Sequence, residues 1–106
     1  MKTMSSKLSP IQIEVLQLMS QGWDLIRTEG FFAYTNLTKV ELKKGLKVLL
    51  HKDIRVTTLS SLVSKGYIVC YKHNYPSNHY TLTEKGKGYT NLIEIVKEKN
   101  NEKANN

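Results

Sequence analysis

The side chains best suited to chemistry are few. Cys70, His73 and His79 lie close together in the sequence, with His51 apart from them. Cysteine and histidine together can hold zinc. Their spacing matches no zinc finger and offers no evident fourth ligand, so neither a metal nor another cofactor is expected. The simpler reading is a strand thiol facing the core and two exposed imidazoles, whose protonation could still tune contact with phosphate. The nine acidic residues are scattered, mostly beside lysines. There is no Gly-rich phosphate loop, no His-Glu-x-x-His and no Ser or Cys nucleophile motif. The chain reads as a protein without catalytic activity.

Charge is the remaining signal. The 106 residues carry a formal net charge of +7, and nearly all of the excess lies between residues 39 and 72. There Lys39, Lys43, Lys44, Lys47, Lys52, Arg55, Lys65 and Lys72 stand against only Glu41 and Asp53. A concentrated basic region can neutralise phosphates and release counterions; it can also be no more than a solvated surface. Length and composition fit one globular domain. No apolar run is long enough to span a membrane, the amino terminus lacks a signal-peptide core, and a single cysteine excludes an internal disulfide. The expectation is a soluble, cytoplasmic protein.

The elements that would position these groups can be read along the chain. Residues 1–8 are expected to be flexible. Ser9 caps a first helix over 9–21, with Pro10 at its first position and Gln12 completing a capping box. Ile11, Val15, Leu18 and Met19 give that helix an apolar face. Residues 23–35 read as a β-hairpin turning at Thr28-Glu29-Gly30, with Trp23 and Phe32 assigned to the core and Phe31 and Tyr34 left open. Residues 38–51 satisfy two periods. Leu42, Leu46, Leu49 and Leu50 have helical spacing, while Leu46, Val48 and Leu50 alternate as in a strand. Length and lysine content favour a helix, against which Gly45 costs about 1 kcal/mol.

Residues 55–66 form a clearer helix. Val56, Leu59, Leu62 and Val63 share one side, while Thr57, Ser61, Ser64 and Lys65 share the other, flanked by Thr58 and Arg55. Gly66 ends it. A second hairpin follows: Tyr67–Lys72, a turn-rich stretch around Tyr75-Pro76, then His79–Leu82. Thr83 caps a last helix whose stripe is Tyr89, Leu92, Ile93 and Val96. The domain is expected over 9–97, with a disordered polar tail at 98–106.

Two phrases stand out: Leu62-Val63-Ser64-Lys65-Gly66-Tyr67-Ile68 and Tyr80-Thr81-Leu82-Thr83-Glu84-Lys85-Gly86. Here the chain resembles winged helix-turn-helix proteins, especially small bacterial or phage regulators of the MarR and PadR kind. In these a recognition helix, a wing and a further helix are joined by such phrases. The resemblance covers roughly residues 38–90. It implies an α+β winged helix-turn-helix fold, with the 23–35 hairpin added between helices 1 and 2. It also implies sequence-specific binding of double-stranded DNA, as a transcriptional regulator, most simply a repressor occupying an operator. Arg55, Thr57, Thr58, Ser61 and Lys65 would then be the recognition-helix contacts. Lys72, His73, Asn74, Ser77, Asn78 and His79 would lie on a projecting wing, and Lys39, Lys43, Lys44 and Lys47 would touch the backbone.

The alternative is a protein-interaction module on the same scaffold, gripping a partner through Phe31 and Tyr34, because aromatic residues dominate interface hot spots. The last helix is a candidate homodimer surface, although its stripe packs equally well back on helix 1.

Overall fold

A computed structural model describes residues 8–93. In order along the chain they form α1 (Pro10–Ser20), β1 (Asp24–Thr28), β2 (Tyr34–Lys43), β3 (Leu46–Ile54), α2 (Val56–Ser64), β4 (Ile68–Asn74) and β5 (Ser77–Leu82). Residues 84–93 are again helical and are called α3. The protein is thus α+β, with one antiparallel sheet in the order β3-β2-β1-β5-β4. The expected flexible residues 1–7, the residue Val96 and the expected tail 98–106 lie outside the described residues. Leu8 is described, and it is buried in the core.

The first helix forms as its sequence requires. Gln12 N–H donates to Ser9 Oγ at 3.4 Å and Ser9 N–H donates back to Gln12 Oε1 at 3.0 Å, so the capping box closes both ways. Its buried side is Gln12, Val15, Leu16 and Met19, with Leu18 partly covered, while Ile11 stays exposed. These side chains pack on Leu25, Leu37, Ile54, Leu59, Leu62, Tyr67 and Ile68. Leu16, Leu25, Leu37 and Leu62 are fully enclosed, each worth about 1.5–3 kcal/mol of transfer from water.

Residues directly opposite one another in an antiparallel pair share a face, and the register therefore divides the sheet. Leu25, Leu37, Ile54, Tyr80, Leu82 and Ile68 fall on one face, which the core lines. Ile26, Asn36, Thr38, Val40, Leu42, Leu49, His51, His79 and Thr81 fall on the other, which contributes no residue to the core.

Three expectations need correction. Residues 38–51 are not a helix. They are the paired ends of β2 and β3, turned by Lys44 and Gly45, both at positive φ (53° and 80°). Two consecutive residues at positive φ are what a tight hairpin turn requires, and no helix passes through them. The helix that a helix-turn-helix needs ahead of α2 is therefore strand here. Second, the 23–35 hairpin turns later than expected. Its strands end at Thr28 and resume at Tyr34, so Phe31 and Phe32 sit in the turn. Phe32 is 80% exposed rather than in the core. Trp23, in contrast, does pack against the core. Third, the second hairpin does not project. β5 pairs with β1 along its other edge, from Leu25↔Tyr80 to Thr28↔Ser77, and Glu29 N–H donates to Pro76 O at 2.7 Å.

The two phrases singled out in the sequence meet in space. Thr83 N–H donates to Tyr67 O at 3.0 Å, and Thr83 Oγ1 donates to Gly66 O at 2.6 Å while accepting from Gly86 N–H at 3.1 Å. One threonine thus closes the end of α2 and caps α3. A side chain at Gly86 would collide with the Tyr67 carbonyl, so α3 can lie this close only with glycine there. Lys85 reaches back to Lys65 O at 2.7 Å and lies 4.6 Å above the Tyr67 ring.

Candidate nucleic-acid interface

α2 is held by Leu59 and Leu62, which are buried together with Thr58. The buried stripe is rotated from the expected one. Val56 and Val63 face outward, both more than a third exposed, whereas Thr58 is only 7% exposed and unavailable to a ligand. Among the expected recognition residues, Arg55 and Thr57 are exposed, and Ser61 and Lys65 are half-buried. Lys65 Nζ donates to Gln12 Oε1 of α1 at 3.5 Å. Ser60 and Ser64 complete the outward face. Ser60 lies four residues after Val56 and three before Val63, so an apolar pattern that includes the valines draws it toward the core; the Leu59 and Leu62 pair alone leaves it outside.

The outward face of α2 is chemically simple. The helix contains no charged residue, and its side chains there are short. Arg55, at the N-cap, makes no side-chain cap, and its guanidinium has no ion-pair partner among the described residues. A cleft of about 520 Å³ separates the first turns of α1 and α2, lined in part by Ser9, Gln12, Arg55, Thr57 and Ser61.

The expected wing residues divide between the faces of the sheet. His73 and Asn78 are paired on the core-lined face, with His73 Nδ1 and Asn78 Oδ1 2.8 Å apart. Lys72, Asn74, Ser77 and His79 lie on the opposite face. Cys70 is half-buried beside the bulge and its thiol approaches Lys72 O at 3.6 Å. No group of three or more His, Cys, Asp or Glu among the described residues could hold a metal ion.

The four expected backbone lysines do not form one stripe. Lys39 and Lys43 share Glu41 at 3.7 and 4.0 Å on the core-lined face, Lys44 is in the turn, and Lys47 is on the other face. Lys52 is tied to Glu14 of α1 at 3.0 Å. Lys39, Lys43 and Lys52 thus meet carboxylates within the fold, but only Glu14 comes from outside residues 39–72, so most of the local charge excess stays unanswered by these pairs. Burial raises the pKa of Tyr80 above the usual phenol range, with smaller contributions from Cys70 and Glu29 and an opposing one from Arg27.

An aromatic cluster occupies one end of the sheet. Phe31 is 92% exposed and meets Phe32 edge to face at 4.7 Å. Tyr34 and Tyr75 are exposed at the same end, where the β1–β2 and β4–β5 turns are joined through Glu29 and Pro76.

No protein-family model, curated protein or solved structure matches the chain. No helix among the described residues is long and apolar enough to cross a membrane.

Proposed function

We propose that the protein binds duplex DNA, with α2 entering the major groove and the β4–β5 hairpin beside it. It would act by occupying its site, as a transcriptional regulator without chemistry of its own. The observation that carries this reading is the outward face of α2. Arg55, Thr57, Ser60 and Ser64 present one guanidinium and three small hydroxyls, with no carboxylate in the helix to repel phosphate. Short side chains let a helix backbone approach base edges, and hydroxyls and arginine serve both bases and phosphates. The first-turn amides of α2 beside Arg55 add a place for a backbone phosphate. A helix followed directly by an antiparallel hairpin is also the second half of a winged-helix layout, as in the MarR and PadR regulators that the sequence resembles.

Titration of purified protein against random-sequence duplex DNA across a salt series tests this reading. Affinity should fall steeply with salt. Arg55→Glu should weaken binding by about tenfold or more, and Arg55→Ala should lower the salt slope by about 1. Absence of binding at low salt sinks the proposal.

The exposed aromatic end favours a second reading, a protein-binding module. Phe31, Phe32, Tyr34 and Tyr75 are all exposed at one end of the sheet, and such residues anchor interfaces. If this surface is the functional one, a Phe31→Ser, Phe32→Ser double variant loses the partner while its behaviour toward DNA is unchanged.

A further inference from the structure

The far half of the β2–β3 hairpin extends beyond the rest of the sheet. β1 reaches only as far as Thr38 on β2, so residues 39–43 and 46–50 pair with each other alone. A two-stranded ribbon is marginal in water without a third strand or a covering helix. This one nevertheless leaves Val40, Leu42, Leu46 and Leu49 exposed. β3 is also an edge of the sheet, and neither a proline nor a bulge interrupts it, although protein edges are usually protected in such ways.

The two-residue turn makes Lys43 and Leu46 a hydrogen-bonded pair. Alternation then points the backbone groups of Leu46, Val48, Leu50, Lys52 and Ile54 toward β2. Those of Lys47, Leu49, His51 and Asp53 point to the open edge.

We propose that this edge pairs with β3 of a second copy of the chain, antiparallel about a two-fold axis through Leu50, so that two five-stranded sheets become one. A two-fold axis normal to the sheet keeps the same face up in both copies. Each open position must then meet another open position. Of the registers that satisfy this, the one centred on Leu50 sets Lys47 opposite Asp53 of the second copy, and the symmetry repeats the pair. A register centred on Leu49 sets Lys47 against His51 and leaves Asp53 opposite the turn. One centred on His51 sets Lys47 against Arg55. Of these three registers only the one centred on Leu50 matches formal opposite charges across the strands, the pairing that stabilises neighbours in a sheet, whereas one centred on Lys52 sets that lysine against itself. It also sets Leu50 against itself and Leu46 against Ile54, and it gives each arm the third strand that it lacks. Lys47 and Asp53 make no ion pair within the described residues of one copy, so both are free to make one between copies.

Sedimentation velocity on the full chain tests the proposal. The expected mass is twice the 12.2 kDa of one chain, with the dimer fraction rising with concentration. Lys47→Asp alone and Asp53→Lys alone place like charges across both pairs and should each weaken association about tenfold or more. The two together restore the opposite charges and should recover most of the loss. A monomer at every concentration, or a dimer that neither single substitution weakens, overturns the proposal. If a variant does not fold, amide exchange on the unaltered chain decides. Protection of Lys47, Leu49, His51 and Asp53 that grows with concentration supports the pairing, and exchange that is independent of concentration overturns it.

Discussion

Leucines furnish both the body of the molecule and its protruding arm, with opposite outcomes. Leu16, Leu25, Leu37 and Leu62 are fully enclosed between two helices and the sheet, whereas Leu42 and Leu46 are 73% and 70% exposed on the β2–β3 arm. The body encloses its leucines because α1 and α2 lie on one face of the sheet and meet there. The arm has the same residue type, a regular backbone ladder and no second layer. Regular hydrogen bonding forms secondary structure in both regions, but only the body gains from burial. Stability in this protein should therefore be concentrated where α1, α2 and α3 reach the sheet, and the arm should depend on what it meets.

The largest expected contrast comes from truncating one leucine in each region. Leu62→Ala should cost about 2–5 kcal/mol in chemical denaturation, because it opens a cavity between packed layers. Leu42→Ala, in dilute solution, should cost less than about 0.5 kcal/mol. Equal losses at the two positions would mean that the arm is covered even in the monomer.

A smaller effect probes the joint that closes the body. Gly86→Ala drives a methyl group into the Tyr67 carbonyl and toward Leu82. It should destabilise by about 1–3 kcal/mol, read as a lowered Tm. No change in Tm would mean that α3 is not pressed against the Gly66–Tyr67 joint.

The smallest effect is on the arm itself. Lys44 holds a positive φ of 53°, which a lysine side chain tolerates poorly and asparagine better. Lys44→Asn should raise stability by up to about 1 kcal/mol, measured by denaturant midpoint. A loss of stability would show that the lysine contributes something at the turn that its backbone strain conceals.

Much of the body was legible because its signals are local. Ser9, Pro10 and Gln12 specify a helix start whatever surrounds them, and the structure closes that capping box. Gly66, Thr83 and Gly86 mark the ends of neighbouring elements, and they meet as one joint. The arm was illegible because its leucines satisfy two periods at once. Its turn carries Lys44-Gly45 in place of the asparagine or aspartate before glycine that would announce a hairpin. The rotation of α2 is hidden in the sequence for a related reason. Its valines look like core, but the helix lies across a sheet and against α1, and these two contacts turn Thr58 inward and Val56 and Val63 outward. Of the candidate site, Arg55 and Thr57 were correctly placed outside, while Ser60 became visible only once that rotation was known.

By itself the sequence determined the elements that caps and glycines delimit, the α+β class, and the concentration of basic residues between 39 and 72. These depend on interactions within a few residues, which are the same in any fold. The tertiary structure alone decided which period of residues 38–51 prevails, which side of α2 faces outward, and that Glu14 of α1 answers Lys52. Each of these depends on a surface or a counter-charge brought from elsewhere in the chain, and no local pattern encodes its arrival.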